Sequence, residues 1–360
     1  MLKTKSEILN IAPYTPGKSK IAGVSKVIKL SSNENGLGCS PAAQKAYTSF
    51  TSFSRYPDAT AAELRAAIGE VHGLDPEKII CGCGSDEVLE LLAYAYSGEG
   101  DEVIYTEHGF LVYPIAAQSA GAKPVAVPEK NYTTDVDAIL KAVNGKTKIV
   151  YVANPNNPTG TYIPKQEMQR LRDGLRKDIL LVIDAAYAEC VTAPDYSDGK
   201  EIVDSTENTI MTRTFSKMYG LAALRLGWGY ASAGIIDIMN RIRPPFNNTA
   251  PTLAAGIAAV RDRDFLKKSV EHNTKWREKL FAILTELGFT PTPSQANFIM
   301  AKFGETREET AKAFEFIASK GILVREIYNY NLPQYLRLSI GSDDEMEALV
   351  KALRELHSAR

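Results

Sequence analysis

Seven short, almost continuously apolar runs, separated by longer segments of helical spacing, constrain this chain more than any other feature. They are Lys78–Cys81, Glu102–Tyr105, Pro124–Val127, Lys148–Val152, Leu180–Asp184, Thr209–Thr212 and Gly227–Ala231. A half-exposed strand alternates apolar and polar residues; a strand covered on both faces does not need to. Between the runs, amphipathic segments near 60–72, 85–97, 110–120, 135–143 and 164–177 predict helices. The βαβα rhythm predicts an α/β fold, a mostly parallel seven-stranded sheet flanked by helices.

The rhythm changes in the last third. A long helical region at 263–287 carries an apolar face of Phe265, Leu266, Val270, Leu280, Ile283, Leu284 and Leu287. Strand-like Asn297–Ala301, Ile322–Arg325 and Tyr335–Ile340 then interleave with helices near 307–320 and 343–357. This predicts a smaller α+β domain over 246–360, opening after Pro244-Pro245-Phe246, and a large domain over 36–245. Residues 1–35, punctuated by Pro13, Pro16 and Gly17, predict an irregular N-terminal arm. A length of 360 residues agrees with two packed lobes.

Composition narrows the partners. With a net charge of −1 and no long basic run, nucleic acid and anionic membrane are not expected. The start, Met1-Leu2-Lys3-Thr4-Lys5-Ser6-Glu7, lacks the apolar core of a signal peptide, and no apolar run is long enough to span a bilayer. A cytoplasmic location is the expectation. Cys81-Gly82-Cys83 could be half of a metal site, but no second close pair of ligands accompanies it, and the four histidines are not paired at helical spacing. No metal is expected; the cysteines read as small thiols in a reducing compartment.

Open α/β sheets bind ligands beyond the carboxyl ends of their strands. Four polar groups fall there. Cys83-Gly84-Ser85-Asp86-Glu87 is a glycine turn into an apolar helix, with Ser85 as the expected N-cap and amides able to bind an anion. Asn154-Pro155-Asn156-Asn157-Pro158-Thr159-Gly160 is a turn whose prolines would fix Asn157. Asp184 closes an apolar run, with Tyr187 three residues on. Thr214-Phe215-Ser216-Lys217, followed eight residues later by Arg225, brings together an amine, two hydroxyls and a guanidinium. An amine can form an imine with an aldehyde, and hydroxyls with a guanidinium suit a phosphate. Pyridoxal phosphate (PLP) offers both groups, and an aspartate beneath its ring nitrogen would make it an electron sink.

These motifs, in this order, resemble the fold-type I PLP-dependent aminotransferases. The finer resemblance is to the histidinol-phosphate aminotransferase family, carried by Ser32-Asn33-Glu34-Asn35, Arg55-Tyr56-Pro57-Asp58, Gly84-Ser85-Asp86-Glu87, Ser294-Gln295-Ala296-Asn297-Phe298 and Arg337-Leu338-Ser339-Ile340-Gly341. It runs through essentially the whole chain. The resemblance implies that Lys217 forms the imine with the cofactor and moves the substrate proton. Asp184 would pair with the pyridine nitrogen, Tyr187 and Asn157 would contact the ring oxygen, and Phe110 would stack on the ring. Ser85, Asp86, Thr214, Ser216 and Arg225 would hold the phosphate, with the Asp86 carboxylate pointing away because only its amide helps there.

Tyr56 would reach the phosphate of a neighbouring subunit. That implies a homodimer with shared sites, and an arm packed on the small domain and the partner. Tyr14, Asn157, Arg325 and Arg337 would grip the substrate, with an ion pair to Glu326 the plainer role for Arg325. The implied reaction is ping-pong transamination between L-histidinol phosphate and 2-oxoglutarate, giving imidazole acetol phosphate and L-glutamate. An aromatic amino acid or prephenate aminotransferase, or a PLP-dependent decarboxylase or lyase, would use the same cofactor set. Three residues depart from the family pattern: Gly36 replaces a usual proline, Phe110 a common tyrosine, and Ala185 a frequent glutamate. His108 reads as an ordinary loop histidine rather than an acid–base residue.

Overall fold

The computed structural model describes residues 4–12, 20 and 27–359. A short strand, β1 (Ile28–Lys29), and a helix, α1 (Pro41–Thr48), precede the main sheet. Ser40 caps α1 by accepting from the Ala42 and Ala43 amides, with Pro41 at the first helical position, where its missing N–H is no loss. The main sheet then forms from β2 (Ile79–Gly82), β3 (Glu102–Thr106), β4 (Lys123–Val127), β5 (Thr147–Ala153), β6 (Leu180–Asp184), β7 (Thr209–Thr214) and β8 (Gly227–Ala231). Its seven strands lie in the order β2-β8-β7-β6-β5-β3-β4, and β8 is antiparallel to both neighbours.

The apolar runs are buried on both faces because helices cover both. Ile80, Ile210, Val182, Tyr151 and Val103 face the cluster shared with α3 (Gly84–Tyr96), α4 (Val112–Ala120) and α8 (Ala233–Ile242). Their strand neighbours point the other way. Met211, Trp228 and Tyr230 meet α2 (Ala62–His72) and α9 (Ala250–Arg261), while Ile104, Val150, Val152, Leu181 and Ile183 meet α5 (Val136–Ala142) and α6 (Lys165–Gly174). A short helix, α7 (Lys200–Ser205), adds Ile202 and Val203 to this side. Each fully buried Val, Leu or Ile contributes about 1.5–3 kcal/mol, so the two-sided pattern stabilises the sheet as a layer.

A smaller lobe carries β9 (Thr290–Pro291), β10 (Phe298–Lys302), β12 (Arg325–Glu326) and β13 (Tyr335–Ser339) in one antiparallel sheet of order β12-β13-β10-β9. β11 (Ile322–Leu323) pairs in parallel with β1. Helices α10 (Arg263–Glu286), α11 (Arg307–Ser319) and α12 (Asp343–Ser358) complete the lobe. Its core packs Trp276, Leu280 and Leu284 against Leu336, Leu338, Leu349 and Leu353, with Leu30 of the arm among them. Val27, Ile28 and Leu30 of the arm thus pack with this lobe.

Helices α1, α7, α8 and α9 are additions to the sequence expectation. The small lobe expected from 246 includes α9, yet Leu253, Ala255, Ala259 and Val260 pack in the large-lobe core beside Leu64 and Trp228. The packing therefore argues for a division near Asp262, which caps α10 by accepting from the Phe265 amide. Among the described residues no helix is long and apolar enough to cross a membrane.

Candidate active site

The carboxyl ends of β2, β5, β6 and β7 meet at one cavity of ≈ 560 Å³. Its lining includes Ser85, Asp86, Phe110, Asn157, Asp184, Tyr187, Thr214, Ser216, Lys217, Arg225, Arg325 and Arg337. The topology explains the convergence, because parallel neighbours end on the same edge and their connecting loops follow there. Tyr56 stands apart: it is 81% exposed and stacks on Phe246 at 4.5 Å between centroids. Tyr14 lies outside the described residues.

Asp184 is the most deeply held acid of the site. Register places it beside Thr212 of β7, whose hydroxyl donates to one carboxylate oxygen at 3.2 Å. The Tyr113 hydroxyl donates to the other at 2.7 Å. Burial pushes the Asp184 carboxyl up to about 6, while these two hydrogen bonds pull against it. Tyr113 also stacks on Tyr151, at 4.8 Å and 8° between planes, and meets the edge of Phe110 at 5.9 Å. Neither Tyr113 nor Thr212 was singled out from the sequence. Their signal is faint: a buried tyrosine three residues after Phe110, and a threonine at a strand end.

Lys217 sits in the same buried pocket, its Nζ 5.5 Å from the Tyr187 ring centroid. Burial, then the nearby Arg337 and Arg225 charges, lowers its amine to about 8. A lysine so placed can exchange a proton near neutrality, which an exposed one cannot. The Tyr187 hydroxyl accepts from Asn33 Nδ2 at 3.0 Å, and burial raises its phenol well above the usual range, keeping it a donor. Asn33 is in turn fixed by Ser339, through its backbone amide and its side-chain oxygen, both at 2.9 Å. Its φ of 56° is left-handed, a conformation that asparagine tolerates better than most residues.

One end of the cavity forms where β2 enters α3. Cys83, not Ser85, is the N-cap, and the Cys83 amide donates to Glu87 Oε2 at 2.6 Å. Ser85 is therefore inside the first turn, with a backbone N–H that the helix does not use. Arg225, itself left-handed at φ 50°, donates to Ser216 Oγ at 3.2 Å. Thr214 Oγ1 accepts from the Ser216 amide at 3.1 Å. Both hydroxyls act as acceptors here, so their own protons remain available for an anion. The Asp86 carboxylate meets Arg225 Nη2 at 2.9 Å, because that half-exposed guanidinium attracts the adjacent acid. Gly84 and Gly227 make the close approach possible. A Cβ on the first would strike the Arg225 guanidinium, and one on the second the Ser85 amide nitrogen.

Facing this end, Arg325 and Arg337 are direct cross-strand partners on β12 and β13. Arg337 is buried and donates to Asn157 Oδ1 at 2.5 Å and to the Ser31 carbonyl at 2.9 Å. Its guanidinium also lies 5.2 Å from the Phe298 ring centroid. Glu326 follows Arg325 in β12, and alternation sends its side chain to the opposite face, away from the cavity that Arg325 lines. His108 is buried and bonded through Nδ1 to the Tyr330 carbonyl at 2.7 Å, outside the cavity lining.

The chain matches the family model of aminotransferase class I and II over residues 25–353. This chain belongs to that family. It is 54% identical over 354 residues to the histidinol-phosphate aminotransferase of Ruegeria pomeroyi, covering 98% of this chain and 97% of the relative. Identity to the histidinol-phosphate aminotransferase of Maricaulis maris is 49%, covering 98% of each. Among solved structures, the histidinol-phosphate aminotransferase of Sinorhizobium meliloti, in complex with pyridoxal-5'-phosphate, superposes with a TM-score of 0.86 at 28% identity, covering 93% of this chain and 92% of that one. An aspartate aminotransferase variant from Thermus thermophilus, at 21% identity and a TM-score of 0.84, shares the fold of this family.

Proposed function

We propose that this chain is a PLP-dependent histidinol-phosphate transaminase, converting L-histidinol phosphate and 2-oxoglutarate into imidazole acetol phosphate and L-glutamate. The observation that carries the reading is one cavity holding an amine lowered to about 8, a buried carboxylate and two separated cationic ends. The donor set fits PLP. Lys217 would meet its aldehyde, Asp184 its ring nitrogen, and Tyr187 and Asn157 its ring oxygen. The Ser85 and Asp86 amides, Thr214, Ser216 and Arg225 would hold its phosphate, and Phe110 would cover its ring. Bound there, PLP supplies an aldehyde for imine formation and an electron sink for the pair left when the substrate Cα loses its proton.

The chain's residues do the rest. Lys217 Nζ would take the proton from the substrate's Cα and hold it for return, a role for which an amine titrating near 8 is suited. Asp184, as a carboxylate, would hold a proton on the ring nitrogen. Asn157 gives its oxygen to Arg337, which leaves its amide hydrogens free for the ring oxygen. Arg337 and Arg325 grip the substrate's anionic group, where planar guanidinium forks accept a phosphate or a carboxylate. Tyr14 would join them from the arm.

The proposal includes a homodimer. Exposed Phe53, Tyr56 and Phe246 support it, with Tyr56 reaching the partner's cofactor phosphate. A cytoplasmic location suits the free thiols of Cys39, Cys81, Cys83 and Cys190. The test is kcat/KM for L-histidinol phosphate against phenylalanine, tyrosine and prephenate-derived amino acids, with 2-oxoglutarate as acceptor. Histidinol phosphate should lead clearly; parity with the aromatic amino acids would defeat the assignment.

A further inference from the structure

A ping-pong transaminase must admit two unlike side chains to one cavity. If the proposed function holds, both substrates present an anion to Arg325 and Arg337, and an amine or oxo carbon to Lys217. What remains differs in charge: an imidazole, which donates N–H, and a carboxylate, which accepts. The cavity needs an acceptor and a cation that neither the cofactor contacts nor the anion clamp has already taken.

Among the described residues three carboxylates line it. Asp184 is buried and bonded by Tyr113 and Thr212, and Asp86 is paired with Arg225 at the phosphate end. Glu34 is the third. It lines the cavity with Lys29, and the two form an ion pair at 2.9 Å, with side chains 45% and 35% exposed. Their backbone is held firmly. Ile28 and Lys29 pair with β11, the Ser31 carbonyl accepts from Arg337, and Asn33 is bonded to Ser339 and Tyr187. Two opposite charges thus sit on a fixed support at the rim, one segment away from the anion clamp. A half-exposed ion pair of this kind contributes little in water, so either partner can exchange the other for a substrate group.

We propose that the Lys29–Glu34 pair selects the two substrates in turn: Glu34 accepts the imidazole N–H of histidinol phosphate, and Lys29 takes the side-chain carboxylate of glutamate and 2-oxoglutarate. Each substrate opens the pair and satisfies one member, while the other member turns to water. The two residues act on specificity, not on proton transfer. Removing one should therefore weaken its own substrate and release the other residue to serve the opposite substrate.

The test measures the two half-reactions of the holoenzyme separately, together with calorimetric binding of glutarate, a dicarboxylate without the reacting amine. Glu34→Gln should lower kcat/KM for histidinol phosphate about tenfold, as expected for loss of a charge-assisted hydrogen bond, and leave glutamate unchanged or improved. Lys29→Met should lower kcat/KM for glutamate and 2-oxoglutarate about tenfold, weaken glutarate to a similar degree, and leave histidinol phosphate unchanged or improved. Equal losses in both half-reactions, or no change in either, would overturn the selector, as would glutarate binding unaffected by Lys29→Met. A wild-type holoenzyme inactive on histidinol phosphate would instead overturn the functional assignment, and the glutarate measurement would still judge Lys29.

Discussion

Replacing Asp184 by asparagine should stabilise the cofactor-free protein above pH 6 while removing its activity. The carboxyl group is buried, and its folded-state value stands at about 6 against an ordinary 3.8. The native state therefore keeps this proton at pH values where the unfolded chain has lost it. Stability from the group is fully present below about pH 4 and is lost as the pH rises through 6. Above that, ionised Asp184 costs the native state about 3 kcal/mol relative to the unfolded chain, the equivalent of a rise from 3.8 to about 6. Asparagine keeps the size, its amide oxygen can accept from Tyr113, and it never ionises. Denaturant unfolding of both proteins, stripped of cofactor, at pH values from 4 to 8 measures the difference. The two should be nearly equal at pH 4, and the variant should gain about 3 kcal/mol at pH 8. A pH-independent difference, or a variant weaker at pH 8, would refute the claim that desolvation governs Asp184.

Three further outcomes follow from the same geometry. Lys217→Ala should abolish borohydride-trapped attachment of the cofactor and lower turnover by at least about a thousandfold, the scale of a lost nucleophile and proton carrier; mass spectrometry of the digested protein reads the attachment site. Arg337→Lys should lower kcat/KM for both half-reactions by about tenfold or more, because an ammonium cannot span Asn157 Oδ1, the Ser31 carbonyl and a substrate anion together. Mixing the inactive variants Tyr56→Ala and Lys217→Ala should restore part of the activity if each site borrows Tyr56 from its partner; sedimentation would report the mixed dimer, and a mixed dimer with no activity would remove Tyr56 from the shared site.

The sheet was legible because its signal is local. A strand covered on both faces must be apolar along its length, so the seven runs from Lys78 to Ala231 announce themselves without any partner in view. Helix α9 was not legible in the same way. Its composition would suit either lobe, and only its contacts with Leu64 and Trp228 assign it to the large one. The cavity-lining residues at strand ends were likewise visible, because a polar residue that closes an apolar run stands out. Their supports were not. Tyr113 lies 71 positions from Asp184, and Asn33 lies 154 positions from Tyr187, separations that no local pattern encodes. Ser85 suits the cap by residue type, whereas the backbone places the cap two positions earlier, at Cys83.

By itself, then, the sequence determined which chemistry the chain carries: an amine at 217, a carboxylate at 184, and cations at 225, 325 and 337, on loops that a parallel sheet must gather at one edge. Tertiary structure decided the state of those groups. Burial lowers Lys217 to about 8 and raises Asp184 to about 6, and Arg225 pairs with Asp86. The reason is physical. Residue type sets what a group can donate, accept or ionise, while desolvation and charge depend on neighbours that only the folded chain brings within a few ångströms.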